Sequence, residues 1–303
     1  MKAAIYFNEL QPLLYGYYIC KGVIFLHRKI SAAVFTVLTA MFMCGCTSDK
    51  NTVGQSAGHN NRGGRTPAET AFLTDGKEKV CYGQGYETDS DNRPVGAVQA
   101  QEKYGSYGGR FIFGKDDKTI RLTFDEGYEN GCTGKILDIL KEKKVTATFY
   151  VTLDYVKSSP ELVQRMINEG HEVGNHSCTH PSLPDISDDM VFEEIHGLET
   201  YISDNFGGYK TVTMRPPRGE FSVRTLRIAK NMGYDTVLWS FAYNDWNTDA
   251  QPDRDTAYRR ITSATHNGAV YLLHAVSETN TAILPDVIDY WLDNGYTVKS
   301  ISG

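Results

Sequence analysis

The chain has 303 residues, of which 41% are hydrophobic and 22% charged, a composition that supports one substantial hydrophobic core and an accessory segment. Its formal net charge of −6 argues against a nucleic acid as partner, because phosphate backbones select basic protein surfaces. The composition therefore predicts a mildly acidic globular protein.

Residues 1–46 have the pattern of an export signal. A basic stretch at 27–29 precedes an apolar run at 30–43 that is short for a membrane-spanning helix. The run ends just before Cys46, which resembles the lipidated cysteine of a bacterial lipoprotein signal. We expect cleavage, lipidation at Cys46 or an uncleaved anchor. Each outcome places the remaining chain outside the cytoplasm, on the outer face of the membrane, in the cell wall or in a spore envelope.

Residues 47–99 are rich in Gly, Ser, Asn, Thr and Asp and show little periodicity. Such a composition cannot offset the entropy of ordering the chain. The sequence therefore predicts a flexible linker at 47–99, followed by one catalytic domain at 100–303.

From residue 109 onward, short apolar runs alternate with amphipathic stretches. This alternation predicts successive strand–helix units, which build either a parallel barrel or a doubly wound sheet. The predicted strands are 120–124, 147–151, 172–174, 212–215, 236–240, 269–273 and 297–301. The predicted helices are 134–143, 160–169, 188–205, 223–231, 254–265 and 282–294.

Five short motifs lie at or just beyond the ends of predicted strands. In a βα barrel catalytic groups collect on this rim, whereas a doubly wound sheet concentrates its site at one switch point. The motifs therefore predict an α/β fold, a distorted (β/α) barrel with about seven parallel strands. They are Thr-Phe-Asp-Glu-Gly-Tyr at 123–128, His-Ser-Cys-Thr-His at 176–180, Arg-Pro-Pro-Arg-Gly at 215–219, Asn-Asp-Trp at 244–246 and Leu-Leu-His at 272–274.

His176 and His180 are spaced like a pair of metal ligands. On a helical turn, both rings can face one cation at this spacing, and imidazole ligands favour zinc. Asp125 and Glu126 are adjacent at a strand end, so their side chains diverge and should have different roles. One carboxylate can act as a general base while the other leans toward the metal. These residues predict a divalent metal site, with zinc as the preferred ion.

Hydrolysis of an amide also needs an acid for the leaving amine, and His274 is the candidate. Asp245 can hold that imidazole charged and oriented. Arg215 either pairs with Asp125 or anchors the rim, and Trp246 can form an apolar wall that stacks on a sugar. Together these residue types indicate a metal-assisted hydrolase.

In this order, the five motifs resemble those of the polysaccharide deacetylases of carbohydrate esterase family 4, the NodB-homology domain, over residues 100–303. The resemblance implies a distorted barrel with seven strands, a divalent metal and hydrolysis of an N-acetyl group from an amino sugar. The chain is then a hydrolase of non-peptide carbon–nitrogen bonds. By position, Asp125 matches the catalytic base, His176 and His180 the metal ligands, Asp245 with His274 the acid dyad, and the string 215–218 the groove wall.

Three residues depart from the common family pattern: Glu126 replaces an aspartate, Arg218 a tyrosine and Ala242 an aspartate. When flanking residues are included, the sequences at 123–131 and 215–222 resemble those of the delta-lactam-biosynthetic de-N-acetylases. That resemblance implies a substrate of peptide-stripped peptidoglycan N-acetylmuramic acid, en route to the muramic δ-lactam of the spore cortex. With Glu126 as the third ligand, the metal is expected to be held more weakly than by an aspartate.

N-acetylmuramic acid carries a lactyl carboxylate that N-acetylglucosamine lacks, and a guanidinium is the natural partner of such a group. We therefore hypothesise that Arg218 binds this carboxylate. The alternative is that Arg218 pairs with Glu220 or Asp125. Further contacts with the sugar are expected from Pro217, Trp246, Tyr128 and Leu272.

Two other functions remain open. A general peptidoglycan or chitooligosaccharide N-deacetylase would ignore the lactyl group, and a non-catalytic glycan-binding module would result if Glu126 abolished metal binding. The intact Asp125, Asp245 and His274 argue against the second. We expect a monomer that acts on peptidoglycan glycan strands and meets a membrane only through its N-terminal signal or lipid.

Overall fold

The structure of the chain, a computed structural model, describes residues 76–303. Every predicted strand is present, with ends that differ by a few residues. The longest, Thr119–Glu126, is buried at every position, as expected for a parallel strand covered on both faces. The strands are β1 (Val80–Cys81), β2 (Gly109–Arg110), β3 (Thr119–Glu126), β4 (Thr148–Val151), β5 (Glu172–Asn175), β6 (Thr213–Met214), β7 (Glu220–Phe221), β8 (Asp235–Val237), β9 (Ala269–His274) and β10 (Thr297–Lys299).

Eight of the strands in the described region form one sheet in the order β10-β3-β4-β5-β6-β8-β2, with β9 also paired to β3. All of its strand pairs are parallel. At the far side, the segment after β8 meets β9. There the Phe241 N–H donates to the Val270 carbonyl at 3.1 Å, and the Leu272 N–H donates to the Phe241 carbonyl at 2.8 Å. The sheet thus curls into a distorted barrel, which confirms the predicted fold class.

The strand register brings the motifs together on one rim. Asp125 of β3 lies opposite His274 of β9. Asn175 of β5, which precedes the first motif histidine, lies opposite Met214 of β6, which precedes Arg215. Because parallel strands end on the same side, the motif residues converge at the carboxyl edge of the barrel, as predicted.

Side-chain caps fix where the helices begin. Ser187 Oγ accepts the Met190 N–H, and Ser222 Oγ accepts the Thr225 N–H, so the helices after these serines start as predicted. The last helix starts one turn before the predicted residue 282. The helices are α1 (Val95–Tyr104), α2 (Thr133–Lys143), α3 (Leu153–Ser158), α4 (Pro160–Asn168), α5 (Asp188–Asn205), α6 (Val223–Asn231), α7 (Arg254–Ser263) and α8 (Glu278–Asp293).

The apolar core lies on both sides of the sheet. One buried cluster groups Tyr150, Val237, Val270 and Ile301 from four strands or strand ends. The largest cluster lies between the sheet and the surrounding helices and includes Trp291 of α8, which is fully buried. Rigid packing on both faces holds the strand ends in place and so positions the rim.

Residues 76–99 are part of the folded unit, so the linker prediction was wrong for this segment. β1 pairs antiparallel with β7, and Tyr82 packs edge-on against Phe111 at a centroid distance of 4.9 Å. Helix α1 was not predicted because its apolar pattern is weak, and it buries only two alanines and Tyr104.

Within residues 76–303, no helix combines the length and the apolar character that a bilayer crossing requires. The predicted export signal, the lipidation site at Cys46 and residues 47–75 of the predicted linker lie outside the described residues.

Candidate active site

Asp125, near the end of β3, is the central carboxylate of the rim and is only 9% exposed. Its Oδ1 accepts a hydrogen bond from Arg215 Nη1 at 2.8 Å, and its Oδ2 lies 3.6 Å from His176 Nε2. Burial opposes ionisation, but the charge of Arg215, with contributions from His176 and His274, outweighs it and lowers the pKa of Asp125 below its ordinary value. Asp125 is therefore a carboxylate at neutral pH.

Arg215 is fully buried, and its N–H groups donate hydrogen bonds inside the barrel. Besides Asp125, it donates from Nε to the Val237 carbonyl at 3.1 Å and from Nη2 to the Leu238 carbonyl at 3.2 Å. Its Cζ lies 4.3 Å from the centroid of the Tyr150 ring. Of the two roles left open by the sequence, the structure shows the pairing with Asp125, and Arg215 holds that carboxylate in place.

His176 and His180 lie side by side, with ring centroids 4.9 Å apart. His176 Nδ1 is 2.8 Å from the Arg215 carbonyl, so it carries the proton and leaves Nε2 as a lone pair. Burial is the largest influence on both rings, lowering the pKa of His176 and bringing that of His180 to about 4. Both imidazoles are neutral at pH 7, which is the form that binds a metal.

The histidine loop is not the helical turn assumed from the sequence. Ser177 and His180 adopt left-handed backbone angles, with φ of 68° and 59°. Asn175 supports this path, because its Oδ1 accepts the Ser177 N–H at 2.9 Å and its Nδ2 donates to the Ile195 carbonyl at 2.8 Å. The loop still places the two imidazole rings side by side. Their proximity was therefore predicted correctly, although the helical turn from which it was argued is absent at these residues.

The prediction of Glu126 as a metal ligand was wrong. Adjacent residues of a strand point to opposite faces, and the fully buried Glu126 accepts hydrogen bonds from Thr133 Oγ1 at 3.4 Å. Burial, followed by the negative charge of Glu129, raises the pKa of Glu126 well above its ordinary value. Among residues 76–303, no three His, Cys, Asp or Glu side chains are arranged to hold a metal ion. The two histidines are thus the donors that the site offers.

His274 and Asp245 form the predicted dyad. Asp245 is fully buried, and its Oδ1 lies 2.7 Å from His274 Nδ1 while its Oδ2 accepts the His274 N–H at 2.9 Å. Burial opposes protonation of the imidazole, but the charge of Asp245 and its hydrogen bond prevail and raise the pKa of His274. This histidine therefore keeps a proton to higher pH than an ordinary one.

Three residues around the dyad, Asn280, Gln251 and Tyr243, were missed from the sequence. Asn280 Nδ2 donates to Asp245 Oδ2 at 2.6 Å, and Gln251 Nε2 donates to the Asp245 carbonyl at 2.7 Å. Tyr243 in turn donates to Asn280 Oδ1. The sequence feature that could have placed Asn280 in a helix was Ser277. Its Oγ accepts the Asn280 N–H, and this cap starts α8 at Glu278.

The residues expected to contact a sugar differ in exposure. Trp246 is 47% exposed and Tyr128 54% exposed, and Arg218 is also exposed. Pro217 and Leu272 are buried. The side chains of the exposed three are accessible to solvent, whereas those of the buried two lie beneath the protein surface.

Arg218 has neither of the internal partners considered from the sequence. Glu220 pairs with Lys79 Nζ at 3.3 Å, and Asp125 pairs with Arg215. Within residues 76–303, no ion pair of Arg218 is found. Its guanidinium is therefore available to an external anion.

Comparison with known proteins agrees with this arrangement. A sequence profile of the family described as polysaccharide deacetylase matches residues 114–237. The peptidoglycan-N-acetylmuramic acid deacetylase PdaA of Bacillus subtilis is 43% identical over 200 residues, 66% of this chain and 75% of the relative. The peptidoglycan-N-acetylglucosamine deacetylase PgdA of Listeria monocytogenes is 33% identical over 187 residues, 62% of this chain and 39% of the relative.

A solved structure gives the same family. That of Bacillus subtilis PdaA, described as a family 4 carbohydrate esterase, matches with a TM-score of 0.71 and 39% identity, and the match covers 75% of this chain and 96% of the other. The chain belongs to the polysaccharide deacetylases of carbohydrate esterase family 4 and is a hydrolase of non-peptide carbon–nitrogen bonds.

Proposed function

We propose that this deacetylase removes the N-acetyl group from N-acetylmuramic acid in peptide-stripped peptidoglycan. The observation that carries the proposal is the exposed guanidinium of Arg218, which has no ion pair with any residue of 76–303 and lies on the same rim as Asp125 and His274. The relative at 43% identity is named for peptidoglycan N-acetylmuramic acid, which supports this choice of sugar.

In the proposed reaction Asp125 is the general base and His274 the general acid. Asp125 takes a proton from water, whose oxygen bonds to the acetyl carbon. The carbon–nitrogen bond then breaks, and His274 gives its proton to the departing amine, so that acetate and a free amino sugar result. The opposite pKa shifts of the two groups support this division, since Asp125 stays ionised at neutral pH and His274 keeps its proton to higher pH than an ordinary histidine.

We propose that His176 and His180 hold a divalent ion, with zinc preferred. The fit rests on two neutral imidazoles, one with its Nε2 lone pair fixed by the Arg215 carbonyl. A bound ion would supply Lewis acidity toward the acetamide carbonyl. Because Glu126 does not join the histidines, the ion is expected to be weakly held.

Calorimetric titration with zinc tests this ligand set. His180→Ala should abolish binding because it removes one of the two donors. Glu126→Gln should leave the affinity unchanged because its carboxyl lies against Thr133. Loss of zinc binding in Glu126→Gln would contradict the assignment.

Arg218 is proposed to bind the lactyl carboxylate that distinguishes N-acetylmuramic acid from N-acetylglucosamine. A guanidinium forms two parallel charged hydrogen bonds with a carboxylate, a match that lysine or tyrosine cannot supply. The exposed rings of Trp246 and Tyr128 are proposed to stack on the sugar. Arg218→Tyr should reduce acetate release from muramic units and spare any release from glucosamine units. Equal losses on both would refute this role.

The deacetylated product carries two groups that react with each other. Deacetylation leaves an amine on the sugar that carries the lactyl carboxyl, and condensation of the two, with loss of water, closes a δ-lactam. We propose that the enzyme serves this route in a spore cortex. Mass spectrometry of the digested product tests it, because a cyclised sugar has lost one water relative to the free amine.

We also propose that the protein is exported and acts as a monomer at the outer face of the cytoplasmic membrane, in the cell wall or in a spore envelope, with Cys46 as the lipid attachment site. The signal-like segment at 1–46 and a peptidoglycan substrate support this location. Fractionation of cells that produce the wild-type protein and Cys46→Ala should show membrane association that the substitution abolishes.

One competing function has its own support. The relative named for N-acetylglucosamine matches at 33% identity, so a general peptidoglycan or chitooligosaccharide deacetylase is the second candidate. It predicts equal acetate release from muramic and glucosamine units and no effect of Arg218→Tyr on their ratio.

A further inference from the structure

Residues 79–84, here called the N-terminal strap, run along the turn that carries Arg218. β1 pairs with β7 in a register that places Cys81 opposite Glu220. One residue further, the Tyr82 N–H donates to the Gly219 carbonyl at 3.1 Å. The strap therefore binds the backbone immediately after Arg218, although it lies outside the segment that the family profile matches.

The Arg218 turn needs such support. Arg218 and Gly219 both have left-handed backbone angles, with φ of 62° and 67°, a conformation that non-glycine residues disfavour. The Trp239 ring packs closely against the turn, since a Cβ at Gly219 would lie 2.6 Å from that ring. The strap holds Trp239 in turn, because Gln84 Oε1 accepts its Nε1–H at 2.9 Å and the Tyr82 hydroxyl donates to its carbonyl at 2.7 Å.

Lys79 of the strap neutralises two carboxylates near Arg218. Its Nζ lies 2.5 Å from Asp185 Oδ2 and 3.3 Å from Glu220 Oε2. Glu220 is nearly buried and is two residues from Arg218 in the chain. Asp185 shares the Lys79 ammonium with Glu220, and its pKa is lowered chiefly by its bond with Lys79 and to a lesser extent by the charge of Arg218. Without Lys79, both carboxylates would be free to attract the guanidinium.

We infer that Lys79 is a specificity-determining residue for an anionic amino sugar: by engaging Asp185 and Glu220, it leaves Arg218 available to a substrate carboxylate. This inference rests on the proposed function. Lys79 positions a binding group and takes no part in bond breaking, so it should affect substrate binding and leave the chemical step unchanged.

The test is steady-state acetate release by purified wild-type protein and Lys79→Met on peptide-stripped peptidoglycan. Loss of one charged hydrogen-bonding partner predicts an increase in KM of roughly tenfold, with kcat unchanged. N-acetylmuramic acid as a competing monosaccharide should inhibit Lys79→Met more weakly by a similar factor. Inhibition by the uncharged N-acetylglucosamine should not change.

Rescue variants separate this role from general damage to the fold. Adding Asp185→Asn and Glu220→Gln to Lys79→Met should restore KM, because no carboxylate then competes for Arg218. Lys79→Arg should keep the wild-type KM. Lys143→Met is the matched control, since it breaks a lysine–aspartate pair of 2.6 Å at the C-terminal end of α2.

Several outcomes would overturn the inference. They are an unchanged KM in Lys79→Met, an equal weakening of both monosaccharide inhibitors, or a triple variant that keeps the raised KM. If the wild-type protein releases no acetate from the muramic glycan, the proposed function fails and the inference fails with it. If the wild type is active and only the Lys79 variants disagree, the inference alone is refuted.

Discussion

Replacing Asp245 with asparagine tests whether this buried carboxylate keeps His274 protonated. Asp245 accepts three hydrogen bonds, from His274 Nδ1, from the His274 N–H and from Asn280 Nδ2. Asparagine has a single acceptor oxygen, so at least one of these bonds is lost. At about 1.5–3 kcal/mol for each hydrogen bond to a charged group, the free energy of unfolding should fall by at least that amount.

The catalytic effect follows from the charge that is removed. The pKa of His274 is raised against the effect of burial chiefly by Asp245, so in Asp245→Asn it falls and the proton is lost at lower pH. We expect kcat to fall by roughly 10²–10⁴, and the high-pH limb of the kcat/KM profile to move to lower pH. Stability linked to protonated His274 is present at low pH and is lost as pH rises through its folded pKa. The stability deficit of the variant should therefore shrink as pH rises.

A pH series of acetate release and of thermal unfolding measures both effects. Asp235→Asn is the control for the loss of an aspartate charge that is not in contact with His274, because Asp235 forms a half-exposed ion pair with Arg110 at 3.1 Å. A variant with reduced activity but an unmoved high-pH limb would refute the claim that Asp245 sets the charge of His274.

Three further outcomes are expected. Arg215→Met leaves buried Asp125 without its cation, so calorimetry should show a loss of about 3–5 kcal/mol and acetate release should nearly disappear; a stable, active variant would contradict the pairing. The pKa of His266, lowered to about 4 by burial, means that its contribution to stability is lost as pH falls toward 4. His266→Gln should therefore lose less stability than the wild type between pH 6.5 and about 4 in denaturant titrations. If the free energy of unfolding of both proteins falls equally over this pH range, His266 is excluded as the source of the acid sensitivity. Gly219→Ala should raise KM on the muramic glycan by displacing the Trp239 ring, whereas an unchanged KM would show that the turn tolerates the extra carbon.

The sequence predicted the fold and the rim where local patterns were strong. Helices α5 and α6 begin after capping serines, and both match their predicted bounds. The motif residues Asp125 and His274 ended apolar runs, which fixed their place at strand ends. Strand alternation separates Asp125 from Glu126, and the same rule, applied fully, would have removed Glu126 from the ligand set.

The remaining features depend on contacts between distant parts of the chain. Lys79 bonds to residues more than a hundred positions away, which no local pattern reveals. Helix α1 has a weak apolar pattern and is held by packing around Tyr104. Asn280 was missed because the helix was predicted to begin at residue 282, whereas the Ser277 cap begins α8 a turn earlier.

The most direct test of the central claim is acetate release by the purified protein, with zinc supplied, from peptide-stripped peptidoglycan and from chitooligosaccharide. The account predicts release from the muramic glycan that exceeds release from chitooligosaccharide, and no release by Asp125→Asn. Equal release from both glycans, or activity that survives Asp125→Asn, would contradict it.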